Sequence, residues 1–334
     1  MSRIASDANA VDSVLPSLYA PIAAELAKVE DILRKELRND YPHVDELLRY
    51  GCLLGGKRLR PTLLLLSGKA TGTLKHEHLV LAAVVEMIHT ATLVHDDVLD
   101  EAEMRRHLAT VNSRWDTKTS VLLGDYLFTH AVFLASGLRS TEACRAIGRA
   151  TNVVCEGELR QKAFRGDFAL GQREYLEIIA AKTAELCACS CYLGAAFSGA
   201  KEDRIERMDG YGRDLGIAFQ IIDDILDLKG DESIVGKSLG TDLEQQKPTL
   251  PVIHMLKKAS ASERREILAI LNGESGTEPS GLMPFLQRHD ALEYSYEVAR
   301  RFAQRSRERL SELAPSHARE SLGNLADFVV TRLR

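Results

Sequence analysis

Apolar side chains recur along nearly the whole chain at the three- and four-residue spacing of one helical face, and the polar turn clusters between them are short. "SLYAPIAAELAKVEDILRKELRN" predicts an amphipathic helix with Pro21 near its first turns. "KRLRPTLLLLSGKATG" predicts an apolar helix closed by Gly72. "KHEHLVLAAVVEMIHTATLVHDD" is apolar almost all round, the pattern of a buried helix. "TSVLLGDYLFTHAVFLASGL", "TEACRAIGRATNVVCEGELRQKAF", "QREYLEIIAAKTAELCACSCYLGAAFSG" and "EDRIERMDGYGRDLGIAFQIIDDILDLKG" continue the series. Two stretches break it. "KGDESIVGKSLGTDLEQQKPTLP", rich in Gly, Asp, Ser and Pro, predicts a long loop leading into a helix at Leu250. "NGESGTEPSG" predicts a second polar loop before the last helices. No strand-like alternation, no tandem repeat and no linker interrupts the pattern. The expectation is a single all-α domain over residues 1–334, with roughly the first ten residues flexible.

Composition narrows the class. The 334 residues are 45% hydrophobic and 27% charged, ordinary for a globular protein with a sizeable core. A net charge of −5 argues against nucleic acid as a partner. The opening "MSRIASDANAVDS" has no apolar core of a secretory signal, and no uninterrupted apolar run reaches transmembrane length. Six cysteines occur, three of them in "ELCACSCYLGA". Residues two apart lie roughly 200° round a helix, so Cys189 points away from Cys187 and Cys191, which suits small core residues better than zinc ligands. A reducing cytoplasm is the expected location.

Against this background two acidic runs stand out. "DDVLD" supplies Asp96, Asp97 and Asp100; "DDILD" supplies Asp223, Asp224 and Asp227. Each follows an apolar helix, "ATLVH" or "IAFQII". Positions i and i+4 lie about 40° apart on a helix, so three carboxylates can share one face. Asp is rarely buried unpaired, and crowded carboxylates hold their protons unless cations neutralise them. Two such clusters facing one cleft would suit Mg²⁺, which prefers oxygen ligands and a phosphate-bearing substrate. Arg105 and Arg106 follow within two turns and can bind phosphate bidentately. In "GGKRLRP", Lys57 and Arg60 can reach an anion that glycine lets the backbone approach. His89 shares the helical face of Asp96. Singly, each feature reads equally well as a solvated face or a satisfied core residue; together they point to metal-diphosphate chemistry.

The set "GGKRLRP", "HTATLVHDDVLDEAEMRR", "GDYLF", "EGELRQ", "KTAELC", "FQIIDDILD" and "KPTLP", in this order, resembles the trans-isoprenyl diphosphate synthases, the polyprenyl synthetase family, and most of all its long-chain octaprenyl-type members. The resemblance implies the isoprenoid synthase helical bundle around a deep central cavity, as a homodimer. It implies isopentenyl diphosphate and an allylic diphosphate as substrates, and about three Mg²⁺ ions per site, with Mn²⁺ as a substitute. Asp96 and Asp100 are implied as ligands of two ions, with Asp97 supporting. Asp223 is implied for the third, with Asp224 and Asp227 behind it. Arg105, Lys182, Lys237 and Lys247 are implied for the allylic diphosphate, and Lys57, Arg60, His89 and Arg106 for isopentenyl diphosphate. Thr183 and Gln220 would lie by the allylic carbon. Product release implies a peripheral encounter with membrane. Two positions depart from the family pattern: His107 and Gln246 stand where the family usually has glycine.

The same resemblance sets expectations for product length. One turn before Asp96 stand Ala91 and Thr92, where an aromatic residue would close the cavity early. Ile88, Met87 and Val84 lie deeper, and Phe128, Leu134, Ala135 and Ile147 are candidates for the floor. Small residues leave the cavity open, so the expected product is about C35 to C50 and all-trans. The alternative is a C15 to C20 farnesyl or geranylgeranyl diphosphate synthase. A terpene cyclase would carry Asn, Ser or Thr, and Glu in its second metal motif. A head-to-head squalene or phytoene synthase would lack "GGKRLRP". A non-catalytic subunit of a heteromeric synthase tends to lose aspartates, and this chain keeps all six.

Overall fold

The computed structural model describes residues 16–53, 56–106, 108–229, 241–274 and 279–331. Its helices arise where apolar periodicity and terminal signals agree. They are α1 (Ala23–Glu36), α2 (Pro42–Leu53), α3 (Leu59–Thr71), α4 (His76–Leu99), α5 (Thr117–Ser136), α6 (Thr141–Ala163), α7 (Gln172–Ile179), α8 (Glu185–Phe197), α9 (Glu202–Lys229), α10 (Leu250–Lys258), α11 (Ala261–Leu271), α12 (Met283–Arg288), α13 (Ala291–Arg309) and α14 (His317–Thr331). Asp116 caps α5 by accepting the Thr119 amide at 2.9 Å. Ser260 and Glu263 form a capping box on α11. Gly72 ends α3, donating its amide to the Gly68 carbonyl. The helix expected at Leu250 is present. Before "KPT" a single helical turn, Thr241–Glu244, replaces part of the expected loop.

The described residues group into two units. The first comprises residues 1–151, 186–212 and 309–325. Here α4 packs against α5, α3 and α1. Leu63 to Leu66 on α3 and Leu81 to Val85 on α4 are fully buried, so α4 is a core helix despite being long and apolar enough to cross a membrane. Cys187, Cys189 and Cys191 are buried, as expected of small core residues. The second unit comprises residues 152–185, 213–308 and 326–334. Its apolar cluster gathers Phe168, Val252, Met255, Ile267, Phe285 and Leu286.

One expectation needs correcting. The chain does hold strands: Met104–Arg105 pairs antiparallel with Leu108–Ala109. α4 ends at Leu99, Asp100 occupies its C-cap and Glu101 takes a positive φ of 52°. Arg105 and Arg106 therefore stand on a two-residue hairpin (β1 and β2) and not on a continuing helix. Glu101 and Arg106, both at positive φ, redirect the chain faster than a helix can.

Candidate active site

In the first unit the last turn of α4 sorts the three carboxylates. Asp97 is buried, while Asp96 and Asp100 are half-buried. Arg105 donates from Nε to Asp97 Oδ1 at 2.8 Å and forms an ion pair with it through Nη2, 2.7 Å from the same oxygen. Burial raises the Asp97 pKa, and the Arg105 charge opposes that shift. The hairpin that brings Arg105 back is fastened by Thr110, whose hydroxyl donates to the Ala102 carbonyl at 2.7 Å.

The loop before α3 meets the same hairpin. A Cβ at Gly56 would overlap the Arg106 guanidinium, so only glycine leaves room for it. Arg58 is held at φ 53° by Glu30, 2.5 Å away, and Glu86, 2.8 Å away. Sequence reasoning passed over Arg58 in favour of its neighbours Lys57 and Arg60. The buried Glu86 in an otherwise apolar helix was the available signal. Lys57 is exposed and Arg60 half-buried, and Arg60 Nε is buried without a hydrogen-bond partner. His89 lies close to these cations. Burial, then the charges of Arg60, Arg106, Arg105 and Arg58, hold its pKa well below the ordinary histidine value, so it is neutral. Burial, then the charge of Arg105, lowers the pKa of Arg106.

The second unit likewise buries its middle aspartate and leaves the first half-buried, but it buries the last one as well. Asp223 is half-buried, and Asp224 and Asp227 are buried. Asp227 Oδ2 accepts the Asp242 amide at 3.1 Å. Asp224 accepts from Tyr175 at 2.6 Å and from Gln220 at 2.8 Å. Burial, then the charge of Asp242, pushes the Asp224 pKa up to about 8. A π-helical turn at Ala180–Ala184 follows α7 and carries Lys182 and Thr183. Such turns occur frequently at functional sites. Gly157 sits against the Lys182 backbone, where a Cβ would clash. Lys182 Nζ contacts Glu158 at 2.5 Å and donates to Gln161 Oε1 at 2.9 Å, which gives "EGELRQ" a task that its sequence alone did not reveal. Thr183 donates to Gln220 Oε1 at 2.8 Å. Lys182, Thr183, Gln220, Asp242 and Lys247 line one cavity of about 70 Å³ with Tyr175 and Asp224. Lys247 is buried, 3.7 Å from Asp242. Lys237 and His107 lie outside the described residues.

Among the described residues no three carboxylates, imidazoles or thiols come close enough to hold a metal by themselves. The donors nevertheless fit a hard divalent cation. They are oxygens only, and Asp96, Asp100 and Asp223 are the members of the two runs that burial leaves half-accessible. Mg²⁺ ordinarily takes one or two carboxylates and completes its shell with water and phosphate.

Of the positions considered for product length, Val84, Met87, Ile88, Ala91, Ala135 and Ile147 are buried. Thr92 is half-buried and donates its hydroxyl to the His89 carbonyl. Phe128 is different: it is 36% exposed and lies on the outer face of α5 with Val121, Leu122, Val132 and Phe133. It is therefore a poor floor candidate.

Comparison with known proteins shows the family to which the chain belongs. The family model described as polyprenyl synthetase matches residues 41–282. Octaprenyl diphosphate synthase of Escherichia coli K12 is 34% identical over 93% of this chain and 97% of its own. The crystal structure of a decaprenyl diphosphate synthase from Rhodobacter capsulatus matches with a TM-score of 0.90 at 35% identity, covering 96% of this chain and 99% of the other. A polyprenyl synthase from Caulobacter crescentus CB15, in complex with calcium and isoprenyl diphosphate, matches with a TM-score of 0.90 at 33% identity, covering 95% and 97%. The chain belongs to the polyprenyl synthetase family and has its all-α fold. It is a prenyltransferase of a family that works with divalent metal.

Proposed function

We propose that the protein condenses isopentenyl diphosphate head to tail, in repeated cycles, onto an allylic diphosphate, and that the product is a long-chain all-trans polyprenyl diphosphate of about the heptaprenyl to decaprenyl size. The observation that carries this reading is the shared sorting of the two acidic runs. Each holds its middle aspartate buried and hydrogen-bonded, and each leaves its first aspartate half-buried. That is the arrangement expected where the half-buried carboxylates take metal and the buried ones hold neighbouring groups.

Asp96, Asp100 and Asp223 would hold Mg²⁺, with Mn²⁺ as the substitute. Bound there, the metal neutralises charge on the departing diphosphate. The side chains do the rest. Arg105, Lys182, Lys237 and Lys247 bind the allylic diphosphate, and basic groups that meet its developing charge favour breakage of the carbon–oxygen bond. Lys57, Arg60, His89 and Arg106 bind isopentenyl diphosphate. The unpartnered Arg60 Nε and the neutral His89 among cations are what an absent anion would satisfy. Thr183 and Gln220 turn oxygen atoms toward the allylic carbon as it becomes positive. Apolar helices keep water from that cation. The isopentenyl double bond attacks it, a carbon–carbon bond forms, and the proton leaves to the departing pyrophosphate.

The exposed apolar row on α5, Val121, Leu122, Phe128, Val132 and Phe133, recurs at helical spacing and supports a homodimer. The deciding experiment incubates the purified chain with isopentenyl diphosphate, Mg²⁺ and geranyl or farnesyl diphosphate, then sizes the dephosphorylated products. A ladder ending in one long product is expected. Arrest at C15 or C20 would refute the long chain, and no elongation would refute the activity.

A further inference from the structure

Tyr175 lies outside the motifs that mark the family, yet it ends the polar chain of the second cavity. Its ring is buried on α7 and its hydroxyl donates to Asp224 Oδ2 at 2.6 Å. The other oxygen of Asp224 accepts from Gln220 Nε2 at 2.8 Å. Gln220 Oε1 in turn accepts from the Thr183 hydroxyl at 2.8 Å. All four residues line the same cavity.

The direction of this chain follows from donor and acceptor counting. Tyr175 and Gln220 each donate to one oxygen of Asp224, so Gln220 presents its NH₂ to Asp224 and its carbonyl to Thr183. Thr183 has one hydroxyl proton, and it is used on Gln220. What remains for the cavity is electron-rich oxygen: lone pairs of Thr183 and the second lone pair of the Gln220 carbonyl. Such a lining stabilises positive charge opposite it. Reversing the Gln220 amide would present N–H groups there and disfavour a cation.

Asp224 can hold the amide only while both of its oxygens are satisfied. Removing the tyrosine hydroxyl leaves Oδ2 buried without a donor, a costly state that rotation of the carboxylate relieves. That rotation gives up the bond to Gln220. We propose that Tyr175 is a positioning residue for carbon–carbon bond formation, acting through Asp224 to keep the Gln220 and Thr183 oxygens turned toward the allylic carbon. The assignment rests on the proposed function.

The test is a double-mutant cycle with Tyr175→Phe, Gln220→Ala and both together, read as kcat, KM for each diphosphate and thermal unfolding. Tyr175→Phe should lower kcat about tenfold and leave both KM values within about twofold. The double variant should be no slower than Gln220→Ala, because the tyrosine acts only through the amide. A general packing defect would instead lower the unfolding temperature and add its loss to that of Gln220→Ala. A folded Tyr175→Phe with wild-type kcat, or losses that add in full, would overturn the assignment. Should Tyr175→Phe fail to fold, Asp224→Asn takes its place in the cycle, with non-additivity expected and full additivity overturning. The wild type runs in the same assay. If it makes no elongated product, the proposed function falls and this assignment with it; an active wild type beside an unaffected variant refutes the assignment alone.

Discussion

Arg105 donates from Nε to Asp97 Oδ1 at 2.8 Å, and its Nη2 lies 2.7 Å from the same oxygen. The middle aspartate of the first acidic run is thus committed to an arginine before any ligand arrives. Asp97→Asn should therefore act on substrate and not on metal. The KM for the allylic diphosphate should rise about tenfold, while the Mg²⁺ concentration for half-maximal rate changes little. Asp96→Asn should shift that Mg²⁺ requirement instead. Equal metal shifts in the two variants would contradict the division of labour.

Gly56 and Arg106 form a second such relationship, since a Cβ on the glycine would occupy the place of the guanidinium. Gly56→Ala should displace Arg106 and raise the KM for isopentenyl diphosphate about tenfold, with the allylic KM nearly unchanged. Initial-rate kinetics with each substrate varied in turn will show it.

Gln246 stands at φ 53°, where the family usually has glycine, and its carbonyl accepts the Gly166 amide at 2.9 Å. A left-handed conformation costs a residue with a Cβ about 1–2 kcal/mol. Gln246→Gly should accordingly be more stable than Gln246→Ala by about 1 kcal/mol, because both remove the side chain and only one removes the strain. Chemical denaturation of the two variants measures the difference.

His89 gives the pH dependence. Burial and the surrounding arginines hold the folded imidazole neutral, well below its ordinary value of 6.5. Once the pH falls below about 6.5, the unfolded chain gains a proton here that the folded chain resists, so stability present above that pH is lost as the pH falls toward the lower folded value. Thermal unfolding at about pH 7.5 and about pH 5.5 should show a smaller acid loss in His89→Gln than in wild type. An identical loss in both would place the acid sensitivity elsewhere.

Ala91 is buried one turn before the acidic end of α4. Ala91→Phe should shorten the product sharply while elongation continues, as sized by chromatography and mass spectrometry. An unchanged distribution from a folded variant would remove Ala91 from the product path.

The helices were legible because helix formation is a local matter of periodicity, caps and breakers. The buried character of α4 and the stop at Gly72 followed from composition at fixed spacing. So did the two acidic runs, whose chemistry is written in three residues each. The hairpin after α4 was not legible: it depends on positive φ at Glu101 and Arg106, and neither residue type announces it. Nor was the pairing of Lys182 with Glu158 and Gln161, because residues twenty positions apart meet only through packing of α6 on the π-helical turn.

The sequence by itself determined the family, the helical content and which carboxylates and cations are available for chemistry. The tertiary structure decided which member of each acidic run is buried. Asp97 and Asp224 are of the same residue type as Asp96 and Asp223, which are left half-buried, and the donors brought to them, Arg105 in one unit and Tyr175 with Gln220 in the other, set them apart. The physical reason is that a carboxylate's role follows from its solvation and its donors, and both are supplied by residues distant in the chain.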